Sequence, residues 1–369
     1  HTTVDRGGGD LRARILEVAA EIFAERGYAA TSMREVAEWA CCTKPALYYH
    51  FDNKGALFRE IIQAETICVT EILERQPQNV RALNVQALAQ QGRAAYAEAE
   101  RTRRRVREIA PENVGNLVRL GQLLRLRGET SEAIVVYREA LETDPRNAEA
   151  AQSLALLLYG RGEAEQKKAD AVMADYVEAA SRTPGARMQL AGYYHQTGRI
   201  DKALEVSREL RQENPENDWV VVFLSTVLLE AGRSEEAVDA LRGFLEEHPQ
   251  NLDVKLQLCD VMMVAGTDLD RAEELTEEVV EEMPSSPRAV TILGRILVKK
   301  GRNALLEDRR EEAEELFAQA RQRLQQLVDR VPHFGEAYMT LAELSRIRED
   351  RIRALDYLSR VGRNDPKYV

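Results

Sequence analysis

From residue 77 onward the chain repeats itself. Prolines fall at Pro77, Pro111 and Pro145, 34 residues apart each time, and after one longer and one shorter step at Pro184, Pro215, Pro249 and Pro284, then Pro332 and Pro366. Other residues keep the same phase. The stretch 114–147 places Leu117, Leu120, Gly121, Leu124, Gly128, Ala133, Tyr137 and Ala140 before its proline; 218–251 repeats the pattern with Leu224, Gly232 and Ala237, and Gly294, Gly301, Ala342 and Ala354 carry it on. A mid-unit glycine ends one helix, a proline breaks the next, and small residues let the two approach closely. The pattern therefore predicts helix pairs that bury their apolar faces only by stacking on neighbours. An abundance of Ala, Leu, Arg and Glu with few aromatics agrees with an all-α chain.

These slots and their period resemble the tetratricopeptide repeat (TPR) family. The resemblance implies a right-handed α-solenoid over 80–369, of about eight repeats with the first (80–113) degenerate. Inserts fall near Glu163–Asp170 and Asn303–Glu312; the charges of the second read as longer helices, not a loop. The family also implies a concave groove lined by first helices, here Leu156, Tyr159, Trp219, Val222, Thr226, Leu229, Leu256, Asp260 and Met263. Such a partly apolar track with a Trp anchor suits a protein or peptide partner. The other reading is that several of these residues pack between neighbouring units. A basic run, Arg101 to Arg107, is either a solvated helix face or an approach to DNA phosphate.

The N-terminal part has no such period. Leu11 to Arg26 puts Ile15, Leu16, Ala19, Ile22 and Phe23 on one helical face, and Gly27 stops it. Ser32-Met33-Arg34-Glu35 reads as a capping box opening a second helix, with Met33, Val36 and Ala37 inward. Thr43 is a good N-cap for a third helix, with Pro45 tolerated in its first turn; Leu47 and Phe51 read as core. Asn53 is placed to cap a fourth helix from Lys54 to about Arg75, with no breaker inside it.

Residues 11–62, and the motif Thr31 to Phe58 above all, resemble the helix-turn-helix of the tetracycline-repressor (TetR) family of transcription factors. The resemblance implies that Thr43, Lys44, Pro45 and Ala46 enter the major groove, with Tyr48, Tyr49 and His50 along the same helix. It also implies that Lys54 grips phosphate, while Thr31 and Ser32 open the second helix, where hydroxyl and N–H groups meet phosphate. Double-stranded DNA is then the partner, and a homodimer is expected because palindromic half-sites need two heads. One departure is the turn, Ala40-Cys41-Cys42-Thr43, where the family commonly has glycine. A left-handed residue at Cys41 would cost about 1 kcal/mol. The vicinal cysteines are open to a thiol-sensing reading, against a structural one in which Cys42 fills an apolar slot.

The net charge is −11, yet residues 1–62 hold eight basic against nine acidic side chains, so most of the excess lies in the repeats. A near-neutral reader must focus its cations locally, and an acidic array is repelled by a duplex. Four cysteines (Cys41, Cys42, Cys68, Cys259) make no disulfide framework, which suits the cytoplasm. No apolar run approaches membrane-spanning length. No HExxH, phosphate-binding glycine loop, GxSxG or paired Cys/His spacing occurs, so neither catalysis, a cofactor nor a metal is expected.

The expected layout is a flexible leader at 1–10, the DNA-binding domain at 11–62, a shared helix and junction at 63–79, and repeats at 80–369. Glu65, Val69 and Ile72 fall in the slots of a repeat's second helix, so the fourth helix both closes the head and opens the array. The function expected is a sequence-specific transcriptional regulator with a protein-interaction region. The rival is a non-catalytic TPR scaffold, for example in an export or assembly complex, with an incidental or fused helix-turn-helix. The chain's end without a polar capping helix reads as truncation or self-association.

Overall fold

The computed structural model describes residues 8–26 and 32–364, where twenty helices and no strand are found. Thr31, Gly27 and Pro366 lie outside the described residues, as do the side chains of Phe23, Phe58, Glu65 and Cys68. Two compact units divide the chain, His1–Tyr176 and Val177–Val369.

The first unit opens with α1 (Gly8–Arg26), α2 (Met33–Trp39), α3 (Lys44–His50) and α4 (Lys54–Arg75). Helix α1 starts three residues before the expected Leu11, so Gly8, Gly9 and Asp10 are helical. Each residue added to an existing helix gains a backbone hydrogen bond, which offsets the entropy cost of two glycines. The caps stand where the sequence places them. Ser32 and Glu35 form a full capping box, Thr43 caps α3 with Pro45 in its first turn, and Asn53 caps α4. The head closes over Ile15, Ala19, Ile22, Val36, Ala37, Leu47, Phe51 and Leu57, with Met33 and Cys42 packed at its edge. Each large apolar side chain buried there contributes about 1.5–3 kcal/mol.

Helix α4 runs unbroken and packs against both α1 and α5 (Val80–Gly92), so one rod belongs to the head and to the repeats. Then follow α6 (Tyr96–Ile109), α7 (Val114–Leu126), α8 (Thr130–Thr143), α9 (Ala148–Tyr159) and α10 (Glu163–Ala179). The second unit contains α11 (Pro184–Gln196), α12 (Ile200–Glu213), α13 (Asp218–Glu230), α14 (Ser234–Glu247), α15 (Leu252–Ala265) and α16 (Leu269–Glu282). It ends with α17 (Pro287–Leu306), α18 (Arg310–Arg330), α19 (Gly335–Ile347) and α20 (Arg351–Asn364). Both inserts are absorbed as helix length: α10 has 17 residues, and α17 and α18 have 20 and 21, against 13 or 14 in most other repeat helices.

Two local devices set the period. Each hairpin turns through a left-handed residue: Ala94, Gly128 and Gly162 in the first unit, then Gly198, Gly232, Gly266, Asp308 and Glu349. In most of these turns the residue that follows donates its N–H to a carbonyl five back, as Glu129 does to Leu124 at 2.8 Å and Arg233 to Leu228 at 2.8 Å, the Schellman closure. The second device is a Pro-x-Asn step. Asn79, Asn113, Asn147, Asn217 and Asn251, each two residues after a repeat proline, cap the next helix through the side chain.

Candidate nucleic-acid interface and repeat groove

Leu47 and Phe51 anchor α3 to the head core at 0% and 2% exposure, and this fixes which face of the helix looks outward. Lys44, Pro45, Tyr48 and Tyr49 stand in solvent, Tyr49 85% exposed and Tyr48 48%. Ordinary core packing therefore does not account for the two tyrosines. Ala46 is half-buried, and its N–H donates to the Thr43 hydroxyl at 3.3 Å. His50 is half-buried, its ring edge-on to Tyr49 at 5.1 Å and tilted against Phe51 at 6.4 Å.

The outward row is arranged for anions at its N-terminal end. Lys44 occupies the first turn of α3, where unsatisfied N–H groups carry partial positive charge. No ion-pair partner for it occurs among the described residues, whereas Arg34 pairs with Glu38 at 2.8 Å and Arg12 with Glu60. Lys54, half-buried at the start of α4, has its ammonium held below the usual lysine range by burial, with the Glu35 carboxylate opposing the shift. Ser32 is committed to the capping box that its sequence position implies. Its hydroxyl accepts from Glu35 N–H at 3.2 Å and its own N–H donates to the Glu35 carboxylate at 2.7 Å.

The turn before α3 adopts the strained form. Cys41 has φ 49° and is exposed, where a glycine would sit without penalty. Arg14 steadies the end of α2 by donating from Nε to the Ala40 carbonyl at 3.0 Å, a link across 26 residues with no local sequence signal. Burial pushes the Cys42 thiol up, away from the reactive thiolate, in keeping with its structural role at the core edge.

Three of the five arginines in the basic run of α6 are engaged within the array, while Arg101 and Arg105 stand exposed. Arg103 is fully buried and donates to Gln91 and Asn116 at 2.8 and 3.4 Å. Arg104 pairs with Glu100 and Glu132, and Arg107 with Glu139.

The nine expected groove residues separate. Leu156 and Tyr159 are half-buried in the first unit, and the other seven belong to the second. Leu256 and Met263 are buried, at 1% and 6% exposure, in the cluster that joins α12 to α17, in line with the packing reading, while Val222 and Leu229 pack partly against it. Neighbouring hairpins cover those positions because stacking alone buries a repeat's apolar face. Thr226 donates to its own helix at Val222 and accepts from Gln257; Asp260 pairs with Arg295 at 2.7 Å. Trp219 is 78% exposed and lines a shallow recess with residues 213–218. A larger cavity of the second unit, of about 860 Å³, lies along α15, α17, α19 and α20 and shares only Asp260 with the expected set.

One trio with metal-ligand chemistry occurs among the described residues. Glu216, Glu247 and His248 bring donor atoms within 4.8 Å of one another, with His248 Nε2 3.0 Å from a Glu216 carboxylate oxygen.

Comparison with known proteins decides what these two parts are. Residues 15–61 match the family described as bacterial regulatory proteins, tetR family, and residues 110–250 and 228–296 match tetratricopeptide repeats. A TetR-family helix-turn-helix at residues 15–61 is followed by tetratricopeptide repeats at 110–296.

The TetR-type head is 40% identical over 57 residues to the HTH-type transcriptional repressor KstR2 of Rhodococcus jostii, which covers 15% of this chain and 28% of that protein. It is 42% identical over 54 residues to the HTH-type transcriptional activator FasR of Mycolicibacterium smegmatis, covering 15% and 25%. This chain thus spans about a quarter of the length of these curated relatives. A tetratricopeptide repeat protein from Parabacteroides merdae is 18% identical with a TM-score of 0.42, covering 67% of this chain and 93% of that one. The TPR assignment rests on the family match and on the hairpin period. No helix among the described residues is long and apolar enough to cross a membrane.

Proposed function

We propose that this protein is a sequence-specific, DNA-binding transcriptional regulator whose repeats dock a protein or peptide. In this reading residues 11–62 form the DNA-reading domain, 63–79 the junction and 80–369 the interaction region. The observation that carries it is the outward row of α3. Lys44, Pro45, Tyr48 and Tyr49 are held in solvent by the buried Leu47 and Phe51, on a domain that matches TetR-family regulators. A short helix with a cationic first turn and flat aromatic side chains fits major-groove reading. Ala46, His50 and Thr43 complete that helix, with Lys54, Ser32 and Thr31 at the flanks. Two copies would bind a palindromic site, and the protein would act in the cytoplasm with the DNA. Both matched families are typically without catalytic activity, and no reaction is proposed.

The unbroken α4 supports a coupling. A partner seated on the repeats would change the pose of α4 and thereby operator affinity, a linkage that must be reciprocal. Selection from random duplex DNA with the full chain, read together with the stoichiometry of the complex, tests the DNA-reading claim. A single enriched palindrome bound by two chains is the expected outcome, and a library that stays random after repeated rounds overturns it.

A further inference from the structure

We infer that Glu216, Glu247 and His248 bind a divalent transition-metal ion of the zinc type, which clips two successive repeats of the second unit together. The inference goes beyond the proposed function and depends neither on DNA reading nor on partner docking. Glu216 stands in the turn between α12 and α13, whereas Glu247 ends α14 and His248 caps it, where the chain turns toward α15. The three donor atoms, drawn from two separate turns, lie within 4.8 Å of one another.

His248 is positioned for a ligand and is otherwise unsatisfied. Its Nε2 is shut off from solvent and makes no hydrogen bond to the described residues, although a Glu216 carboxylate oxygen lies 3.0 Å away. Two donors on a tetrahedral zinc with bonds of about 2.0–2.1 Å sit roughly 3.3 Å apart, so an ion fits between these two with little movement. The ring is fixed. It stacks on the buried Phe244 at 4.4 Å between centroids, and the His248 backbone N–H donates to the Phe244 carbonyl at 3.0 Å. The facing turn is fixed as well. Arg211 lies over the Phe244 ring and donates to the Pro215 carbonyl, and Asn251 Nδ2 donates to the Asp218 carboxylate at 3.1 Å. The two turns therefore meet without an ion, and only the exposed carboxylates of Glu216 and Glu247 have to adjust.

The repeat does not itself call for these residues. The position before the repeat proline, histidine at 248, is held by Gln76, Ala110, Asn214 and Met283 in other units. The chain has 62 acidic side chains, yet one trio of such donors occurs among the described residues, so abundance of surface acid does not account for it. The end of α14 adds the partial negative charge of its last carbonyls, which favours a cation there. The nearby cation Arg211 is committed to Pro215 and Phe244. Donor chemistry selects the ion. An imidazole nitrogen disfavours calcium and magnesium, which take oxygen ligands, and a trio without thiolate disfavours copper(I). One imidazole and two carboxylates suit zinc, with a fourth position left to water.

The second unit carries its own reporter. Trp219, 78% exposed, lines one recess with Glu216, and the chain's other tryptophan is Trp39. The full chain bearing Trp39→Phe is titrated with Ni²⁺, which quenches tryptophan emission at close range, and Zn²⁺ is then added as competitor. The expected result is saturable quenching at one equivalent, reversed by Zn²⁺ and not by Mg²⁺ or Ca²⁺. His248→Asn, which matches Asn214 one period earlier, should weaken binding at least about tenfold while helicity by circular dichroism is unchanged. Glu216→Gln and Glu247→Gln, at exposed positions, should each weaken it as well. Adding Cys41→Ser and Cys42→Ser should change nothing, since those thiols belong to the first unit. Quenching that does not saturate, reversal by Mg²⁺ or Ca²⁺, survival of the signal in His248→Asn, or its loss in the cysteine variant overturns the inference.

Discussion

The ring of Tyr137 lies so close over Gly121 that a Cβ built on the glycine would stand 2.6 Å from ring carbons Cε1 and Cζ. Helices α7 and α8 close on each other through this pair, and Tyr137 is fully buried as a result. The second unit repeats the arrangement with Gly301 and Phe317, at 2.5 Å. A large ring on one helix needs a bare backbone on the other.

Gly121→Ala should therefore destabilise the first unit by about 1–3 kcal/mol, since a methyl group forced into a filled core shifts its neighbours. Urea denaturation followed by circular dichroism reads it. Tyr137→Leu in the same chain should recover part of the loss, and a neutral Gly121→Ala would show that the hairpin can open at no cost.

The left-handed turns make the opposite prediction at other sites. Ala94 and Glu349 have φ 58° and Cys41 has φ 49°. Replacing each by glycine relieves roughly 1–2 kcal/mol of backbone strain, of which the freer unfolded chain returns about half. A net gain of about 0.5–1 kcal/mol is expected for each of Ala94→Gly, Glu349→Gly and Cys41→Gly. Gly128→Ala, at φ 79° with open space around it, should lose a similar amount; thermal melts of the four variants compare them directly.

On α3, exposed and buried positions should part company. Lys44→Ala and Tyr49→Ala are expected to leave the melting temperature unchanged. Each should weaken binding to a selected operator by about 1–3 kcal/mol, and Lys44→Ala should also lower the salt slope by about one. Leu47→Ala should instead cost about 2–5 kcal/mol of stability. Fluorescence anisotropy at several salt concentrations distinguishes them, and stability loss in Tyr49→Ala would contradict its outward placement.

Arg103 occupies the slot of Tyr137 one period earlier, with no acid beside it among the described residues. Burial, reinforced by the like charge of Arg119, pulls its guanidinium down to about 10. The folded state thus disfavours the cation, and the associated cost is fully present below that value and is relieved only as pH rises above it. Arg103→Met should be neutral or stabilising at pH 7, by an amount that does not vary between pH 6 and 8. Arg103→Ala should destabilise by about 2–4 kcal/mol, because it adds a cavity to the loss of the Gln91 and Asn116 hydrogen bonds that both variants share. Stability curves at three pH values check both variants.

Much of this architecture is local chemistry and so is legible in one dimension. A capping box at Ser32, a left-handed turn at Gly128 and a breaker at Pro145 each act within a few residues, and their spacing reports the helix pairs directly. The Asn caps at 79, 113, 147, 217 and 251 were equally available from the same spacing and add a second register to the prolines.

Surface assignments depend on contacts between residues far apart in sequence. Leu256 and Met263 carry the same kind of side chain as Met339, yet the first two vanish beneath adjoining hairpins and the last faces the cavity. Arg104 and Arg107 of α6 look like part of a free cationic run until Glu132 and Glu139 of α8 are folded against them. The sequence by itself determined the helices, their stops and the two families they resemble, because caps, turns and periodicity are short-range. Only the tertiary structure decided which faces are covered and which charges remain unpaired, because burial and ion pairing are properties of neighbours that the chain brings together from about 30 residues away or more.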